Sequence, residues 1–276
     1  MQTGQPSRTA LSAAWYRAEH QELDGGRIFR DPLARAMVGD GAGPVAEYLP
    51  TDTHERMRGF LAARSRFAED ALAEAVAAGT GQVVILGAGL DTFAYRNPFP
   101  AVRVFEVDHP DTQAWKRERL ARADIRIPAS VTYVPVDFEH DRSDTALYAA
   151  GLDPARPVFV IWLGVTVYLT LAAIEQTLAQ LARMAPGSRV VFDYGAPMSA
   201  PSPEVRALVE ERMRRLAAIG ESWISFFTPG EIERLLADHG LEVEEDVLAA
   251  DLSLRYLGLE ATSGAGPHLV RARVPG

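Results

Sequence analysis

Gly87-Ala88-Gly89 follows the apolar run Val83-Val84-Ile85-Leu86, and three more sites offer polar or backbone groups at the ends of similar runs: Asp108, Asp137 and Leu163-Gly164. Glycines on either side of an alanine let the chain turn sharply and let a ligand lie against the backbone. An ionised carboxylate only accepts hydrogen bonds, so Asp108 suits a pair of ribose hydroxyls and Asp137 suits the exocyclic amine of an adenine. A strand-end Asp can equally cap the helix that follows, and Asp108, ahead of His109-Pro110, keeps that alternative. Together the four sites favour an adenine nucleoside. Where a dinucleotide fingerprint requires a third glycine stands Thr92, with Asp91 beside it. A carboxylate there repels a pyrophosphate and is compatible with an ammonium group and a sulfonium centre. The pattern therefore points to S-adenosylmethionine rather than NAD or ATP, and no Walker motif is present.

Positioning these groups requires a parallel sheet whose strand ends share one rim. The chain supplies it after about residue 80, where helical periodicity gives way to strand–turn–helix alternation. Strands are expected at 82–86, 101–108, 131–137, 158–163, 189–194, 241–247 and 268–274. Between them, Pro110 opens a helix running to Arg122, and Thr170 caps one with apolar residues at Leu171, Ile174, Leu178, Leu181 and Met184. Thr228-Pro229-Gly230-Glu231 is a capping box whose helix closes at Gly240. Residues 9–57 read as helices, with Asp31-Pro32-Leu33 as a helix start and a break at Gly39 to Gly43. A further helix, 59–78, ends at Gly79. It carries Arg64 and Arg66, whose plain reading is a solvated helix face. The stretch from Ala196 to Pro203 holds three prolines, and a helix from about Ser202 to Ile219 is read as an insertion over the sheet edge.

The fold expectation is one α/β domain over residues 1–276: a doubly wound, seven-stranded, mostly parallel sheet of class I methyltransferase type. A helical cap (1–58) precedes the cofactor-binding core (59–195), a lid insertion (196–227) and the C-terminal helix and strands (228–276). With 276 residues, 47% of them hydrophobic and 24% charged, the chain is long enough to bury a sizeable core. A net charge of −9 argues against broad attraction to nucleic acid. The absence of cysteine excludes disulfides, thiolate chemistry and Cys-type zinc sites, and the six histidines lack paired metal spacing, so no metal is expected. The polar start of the chain lacks the apolar stretch of a secretory signal, and no apolar run approaches the roughly 20 residues that cross a bilayer. A cytoplasmic protein follows as the expectation, with monomer and homodimer both open.

The segments Phe60 to Asp70, Gln82 to Arg96, Val104 to Leu120, Trp162 to Thr170 and Ser225 to Gly240 resemble the leucine carboxyl methyltransferase family. The closer likeness is to its bacterial branch of S-adenosylmethionine-dependent O-methyltransferases, which includes polyketide-biosynthesis enzymes. The resemblance implies that Arg64 holds the carboxylate of the cofactor's methionine moiety, a role its planar fork suits. It implies that Gly87, Ala88 and Gly89 floor the methionine and ribose, that Asp108 binds the ribose, and that Asp137 and Phe138 flank the adenine. Asp91 and Gly164 complete the expected cofactor set, and His109 shapes the loop. Leu163 departs from the pattern: protein-methylating members carry Glu there, so a polar contact near the cofactor amine is lost. Val165, Tyr168 and Leu169 are expected to pack.

No catalytic residue is singled out. A carboxylate acceptor needs no base, whereas a phenol or alcohol does, and His20, His54, His109 and Asp193 are the available groups. The insertion's Trp223, Phe226 and Phe227, with Tyr194, are expected to line a pocket for a small-molecule acceptor; the three insertion rings could instead seat the insertion on the core. Two other readings are carried: a non-catalytic S-adenosylmethionine-binding protein, which Leu163 encourages, and an NAD(P)-dependent oxidoreductase, which Asp91 disfavours.

Overall fold

A computed structural model describes residues 8–39, 51–138, 142–197, 207, 210–211, 213–214, 222–258 and 266–276. Seven strands form one sheet: β1 (Gln82–Leu86), β2 (Arg103–Asp108), β3 (Val131–Pro135), β4 (Phe159–Trp162), β5 (Arg189–Tyr194), β6 (Glu242–Leu248) and β7 (His268–Arg273), in the order β3-β2-β1-β4-β5-β7-β6. The pairs among β1 to β5 are parallel, while β7 is antiparallel to both of its neighbours. Residues 82–86 are buried throughout, as a central parallel strand covered on both faces requires.

One face packs against α6 (Ser143–Ala149), α7 (Leu171–Leu181) and α8 (Pro229–Asp238), through Leu147, Ile174, Leu178, Ile232 and Leu236. The other packs against α3 (Thr51–Ala77), α4 (Phe93–Arg96) and α9 (Ala249–Leu257), through Phe67, Leu72, Phe93 and Leu252. α1 (Arg8–Leu23) and α2 (Ala34–Val38) lie against α3 and α5 (Pro110–Arg122) respectively. None of the helices is long and apolar enough to cross a membrane among the described residues.

Local signals explain the helix ends. Thr228 and Glu231 form the reciprocal capping box ahead of α8. At the end of α3 the Thr80 amide donates to the Ala75 carbonyl at 3.0 Å across Gly79, whose φ is +102°, closing the helix as expected. Two expectations need correction. α3 begins at Thr51, so the boundary placed at residue 58 falls inside a continuous helix, and cap and core share it. α5 is capped by His109, whose Nδ1 accepts from the Asp111 amide at 3.2 Å, and not by Asp108. The break at 40–43 and most of the expected helix from Ser202 to Ile219 lie outside the described residues.

Candidate active site

The strand order reverses between β1 and β4, and their carboxyl ends open the crevice where such sheets bind ligands. Gly87 turns out of β1 with φ +66°, a conformation costly for residues with a side chain. A Cβ on Gly87 would stand 2.5 Å from Cγ2 of Val165, so the turns after β1 and β4 touch. Gly87→Ala therefore combines left-handed strain with overpacking, together about 2–4 kcal/mol. The expected result is a melting temperature lower by several degrees and a Kd for S-adenosylhomocysteine raised at least about tenfold. Differential scanning fluorimetry and calorimetry check both.

Asp108 joins the β1 turn to the start of α5. Its Oδ2 accepts from the Gly89 amide at 2.5 Å and its Oδ1 from the His109 amide at 2.7 Å. Burial pushes this carboxyl above its usual range, and the two amides oppose that shift. The Thr112 side chain bonds the same carboxylate, so three of its roughly four lone-pair sites are taken. On the neighbouring strand Asp108 pairs with Pro135, so half-buried Asp137 follows two residues further along the same rim. Phe138 packs against the core on the α7 face. Asp91 spends one oxygen on the Phe93 amide at 2.7 Å, which starts α4.

Arg64 reaches this rim from α3, which packs on β4 and β5. The solvated-face reading fails for it: its side chain is 11% exposed and its Nη1 donates to Asp193 Oδ2 at 2.8 Å. Arg66, by contrast, pairs with Asp70 on an exposed surface. A Cβ on Gly164 would lie 3.0 Å from Nη1 and 3.4 Å from Nη2 of Arg64, so glycine there lets the guanidinium sit against the β4 turn. Among the described residues the buried Arg64 Nε has no hydrogen-bond partner. A buried N–H of a cation with no acceptor is a cost the fold accepts where something else supplies one. The Leu163 side chain packs against the α3-side core and offers no polar atom.

The β1 turn is braced from outside. Arg17 of α1 donates to Asp31 at 3.0 Å and to the Leu90 carbonyl at 2.7 Å, and Thr92 donates to Asp31 at 2.8 Å. Arg96 adds bonds to Thr92 and Glu69. Beneath it lies a buried pair, Lys116 Nζ to Glu106 Oε1 at 2.9 Å, with Tyr95 donating to the other Glu106 oxygen. Sequence reasoning passed over these groups. Their signal was periodic: Thr112, Lys116 and Leu120 share one stripe of α5, and Glu106 alternates inward with Val104 and Asp108.

The candidate bases are all committed. His20 is fully buried, with Nδ1 against Asp24 at 2.9 Å and Nε2 accepting from the Ile28 and Phe29 amides. Burial pushes its pKa down. His54 meets the Tyr16 hydroxyl at 3.1 Å, His109 caps α5, and Asp193 holds Arg64 and the Gly164 amide.

Beyond β5, residues 222–228 run across the end of that strand and a 3-10 helix, Thr166–Tyr168. The Ile224 amide donates to the Val167 carbonyl at 2.7 Å, and the Phe227 amide to the Gly195 carbonyl at 2.9 Å. Trp223 Nε1 donates to the Tyr168 hydroxyl at 3.0 Å. Phe226 is 38% exposed and lies against Gly195, whereas Phe227 packs on the core and seats the segment. Tyr194 is a correction. Alternation along β5 turns it to the face opposite Asp193; it is buried, stacks on His268 and donates its hydroxyl to Asp246 at 2.5 Å. Among the described residues there is no cluster of three metal-ligating side chains.

A doubly wound sheet of this order, with a glycine turn, an acid at the end of β2 and a buried arginine meeting at its switch point, defines the class I methyltransferase fold. The chain belongs to the leucine carboxyl methyltransferase family, whose model matches residues 10–182. YktD of Bacillus subtilis, named for S-adenosyl-L-methionine-dependent methyl transfer, is 31% identical over 92% of this chain and 92% of its own. The similarly named Franean1_4929 of Parafrankia is 35% identical, covering 89% of this chain and 80% of its own. A crystal structure from Thermobifida fusca, described as a methyltransferase, superposes with a TM-score of 0.62 at 19% identity, over 99% of this chain and 96% of that one.

Proposed function

We propose that this family member methylates an oxygen of a small organic molecule, a carboxylate or a hydroxyl of a specialised metabolite. S-adenosylmethionine is the methyl donor, a reading supported by the family and by the fit of the residues at the switch point. The observation that carries it is Arg64: a buried guanidinium beside the β4 turn whose Nε lacks an acceptor among the described residues. The methionine carboxylate of the donor matches that need, since an arginine fork pairs a carboxylate bidentately. Gly87, Ala88 and Gly89 would floor the methionine and ribose, the remaining acceptor site of Asp108 would take a ribose hydroxyl, and Asp137 and Phe138 would flank the adenine. When bound, the cofactor supplies an electrophilic methyl group on a sulfonium.

What the chain itself contributes is positioning and exclusion of water. Holding two reactants in line lowers the barrier without a proton transfer, provided the acceptor is already an anion. His20, His54, His109 and Asp193 are all engaged in holding structure. That economy favours a carboxylate acceptor, which needs no base. Isothermal titration with S-adenosylmethionine and S-adenosylhomocysteine tests the donor, and absence of binding by both overturns the reading. Mass spectrometry over a panel of hydrophobic acids and phenols tests the acceptor, because base-labile methyl esters and stable methyl ethers are distinguished by hydrolysis.

Trp223 and Phe226 stand on the acceptor side of the rim, against the 3-10 helix and Gly195. Trp223→Ala is expected to lower turnover of a found acceptor at least about tenfold, as loss of an aromatic pocket wall does, while S-adenosylhomocysteine binding stays within about twofold. Unchanged turnover would remove Trp223 from the pocket.

A further inference from the structure

We propose that Asp193 is a positioning residue for the donor's amino-acid end, one that acts through Arg64. The inference rests on the reading of Arg64 as the carboxylate clamp. β4 and β5 pair with Ile161 opposite Val191 and Trp162 opposite Phe192. One residue further, Asp193 falls beside Leu163, on the sheet face that α3 covers. Its Oδ1 accepts from the Gly164 amide at 2.5 Å, its Oδ2 from Arg64 Nη1 at 2.8 Å, and its carbonyl from Thr166 Oγ1 at 2.5 Å. A single residue thus ties α3, the β4 turn and the 3-10 helix together. Both side chains of the pair are 11% exposed.

The division of Arg64's donors makes the arrangement functional. A guanidinium offers a carboxylate two bidentate edges, Nη1 with Nη2 and Nε with Nη2. Asp193 spends one oxygen on Gly164, so it meets Arg64 through the other oxygen and through Nη1 alone. The Nε–Nη2 edge is left without a partner among the described residues, and its Nε is buried. Asp193 therefore holds a long, rotamer-rich side chain in place while leaving a complete edge for an incoming carboxylate, so its ordering is not charged against binding. An amide cannot do this. Asparagine has one acceptor oxygen, so it satisfies Arg64 or Gly164 and turns N–H groups on the other.

The test compares two ligands by calorimetry: S-adenosylhomocysteine, which carries the amino-acid end, and methylthioadenosine, which lacks it. Asp193→Asn is expected to weaken S-adenosylhomocysteine at least about tenfold, the scale of one charge-assisted contact, with methylthioadenosine within about twofold. Arg64→Ala shows the same selectivity, and the double variant binds S-adenosylhomocysteine no more than about twofold weaker than Arg64→Ala alone. Parental binding by D193N overturns the inference. So does equal loss of both ligands, which marks a structural role, and so does a further additive loss in the double variant, which marks direct contact. Parental binding by R64A would instead overturn the clamp reading itself, and this inference with it. Retained methylthioadenosine binding shows that each variant folds.

Discussion

Arg64→Ala is expected to raise the Kd for S-adenosylhomocysteine about 100-fold, the equivalent of about 2.7 kcal/mol, within reach of one bidentate charge-assisted pair in a buried site. Two features set the size. Among the described residues the Nε–Nη2 edge has no hydrogen-bond partner, and the side chain is 11% exposed, so water competes poorly for it. Arg64→Lys should recover little of the loss. An ammonium placed there can bond one carboxylate oxygen or Asp193, but it lacks the fork that serves both in fixed directions. Titration calorimetry reads the affinity directly. Ligand-induced stabilisation gives a second reading: at a fixed ligand concentration well above the parental Kd, a 100-fold weaker site loses about 2.7 kcal/mol of protection. Unchanged affinity would mean that the arginine serves only to neutralise Asp193.

The central sheet was legible because buried parallel strands are continuous runs of β-branched and aromatic residues. β1 and β5 lie at 82–86 and 189–194 as the pattern indicated, and β2, β3 and β4 end within a few residues of the expected positions. The helices capped by Thr170 and Thr228 were equally plain, whereas the start expected at Asp31-Pro32-Leu33 lies at Ala34, behind Leu33 with no side-chain cap bond. α9 was not, because it leaves β6 directly, its cap is Leu248 with no side-chain bond, and nothing punctuates the change from strand to helix. The start of α3 was missed for a related reason: Gly59 looked like a beginning, yet glycine is tolerated inside a long helix held by packing. At the site, the residues on the turns and strand ends were legible as types. Which way each points was harder. Asp193 and Tyr194 are adjacent, so a period of two sends one to Arg64 and the other to Asp246, and only the register of the sheet settles which. The pairing of Arg64 with Asp193 joins residues 129 apart in sequence, and no local pattern encodes such a meeting.

Lys116→Met is expected to be strongly destabilising. Lys116 and Glu106 are each 1% exposed and meet at 2.9 Å, with Tyr95 on the second carboxylate oxygen at 2.8 Å and Tyr133 beyond it. Removing the cation strands a buried carboxylate, which costs about 3–5 kcal/mol and lowers the melting temperature by roughly 10 °C. The loss should grow with pH. Burial already pushes Glu106 above its ordinary range, and Lys116 opposes that shift, so the variant's Glu106 is raised further. Its folded state then holds a proton that the unfolded chain gives up above about pH 4.3. Stability consequently falls as pH rises from that value towards the folded pKa, and K116M should melt lower at pH 8 than at pH 5 relative to the parent. Glu106→Leu combined with Lys116→Met should restore most of the stability and abolish the extra slope, because no charge remains to be stranded. Affinity is expected to follow only in part. Glu106 shares its strand face with Asp108, which holds the Gly89 amide, so a slackened β2 loosens the turn under the ligand. A K116M melting deficit equal at both pH values would show that removing Lys116 leaves the proton uptake of Glu106 on folding as it is in the parent, and would assign the pair to packing rather than charge.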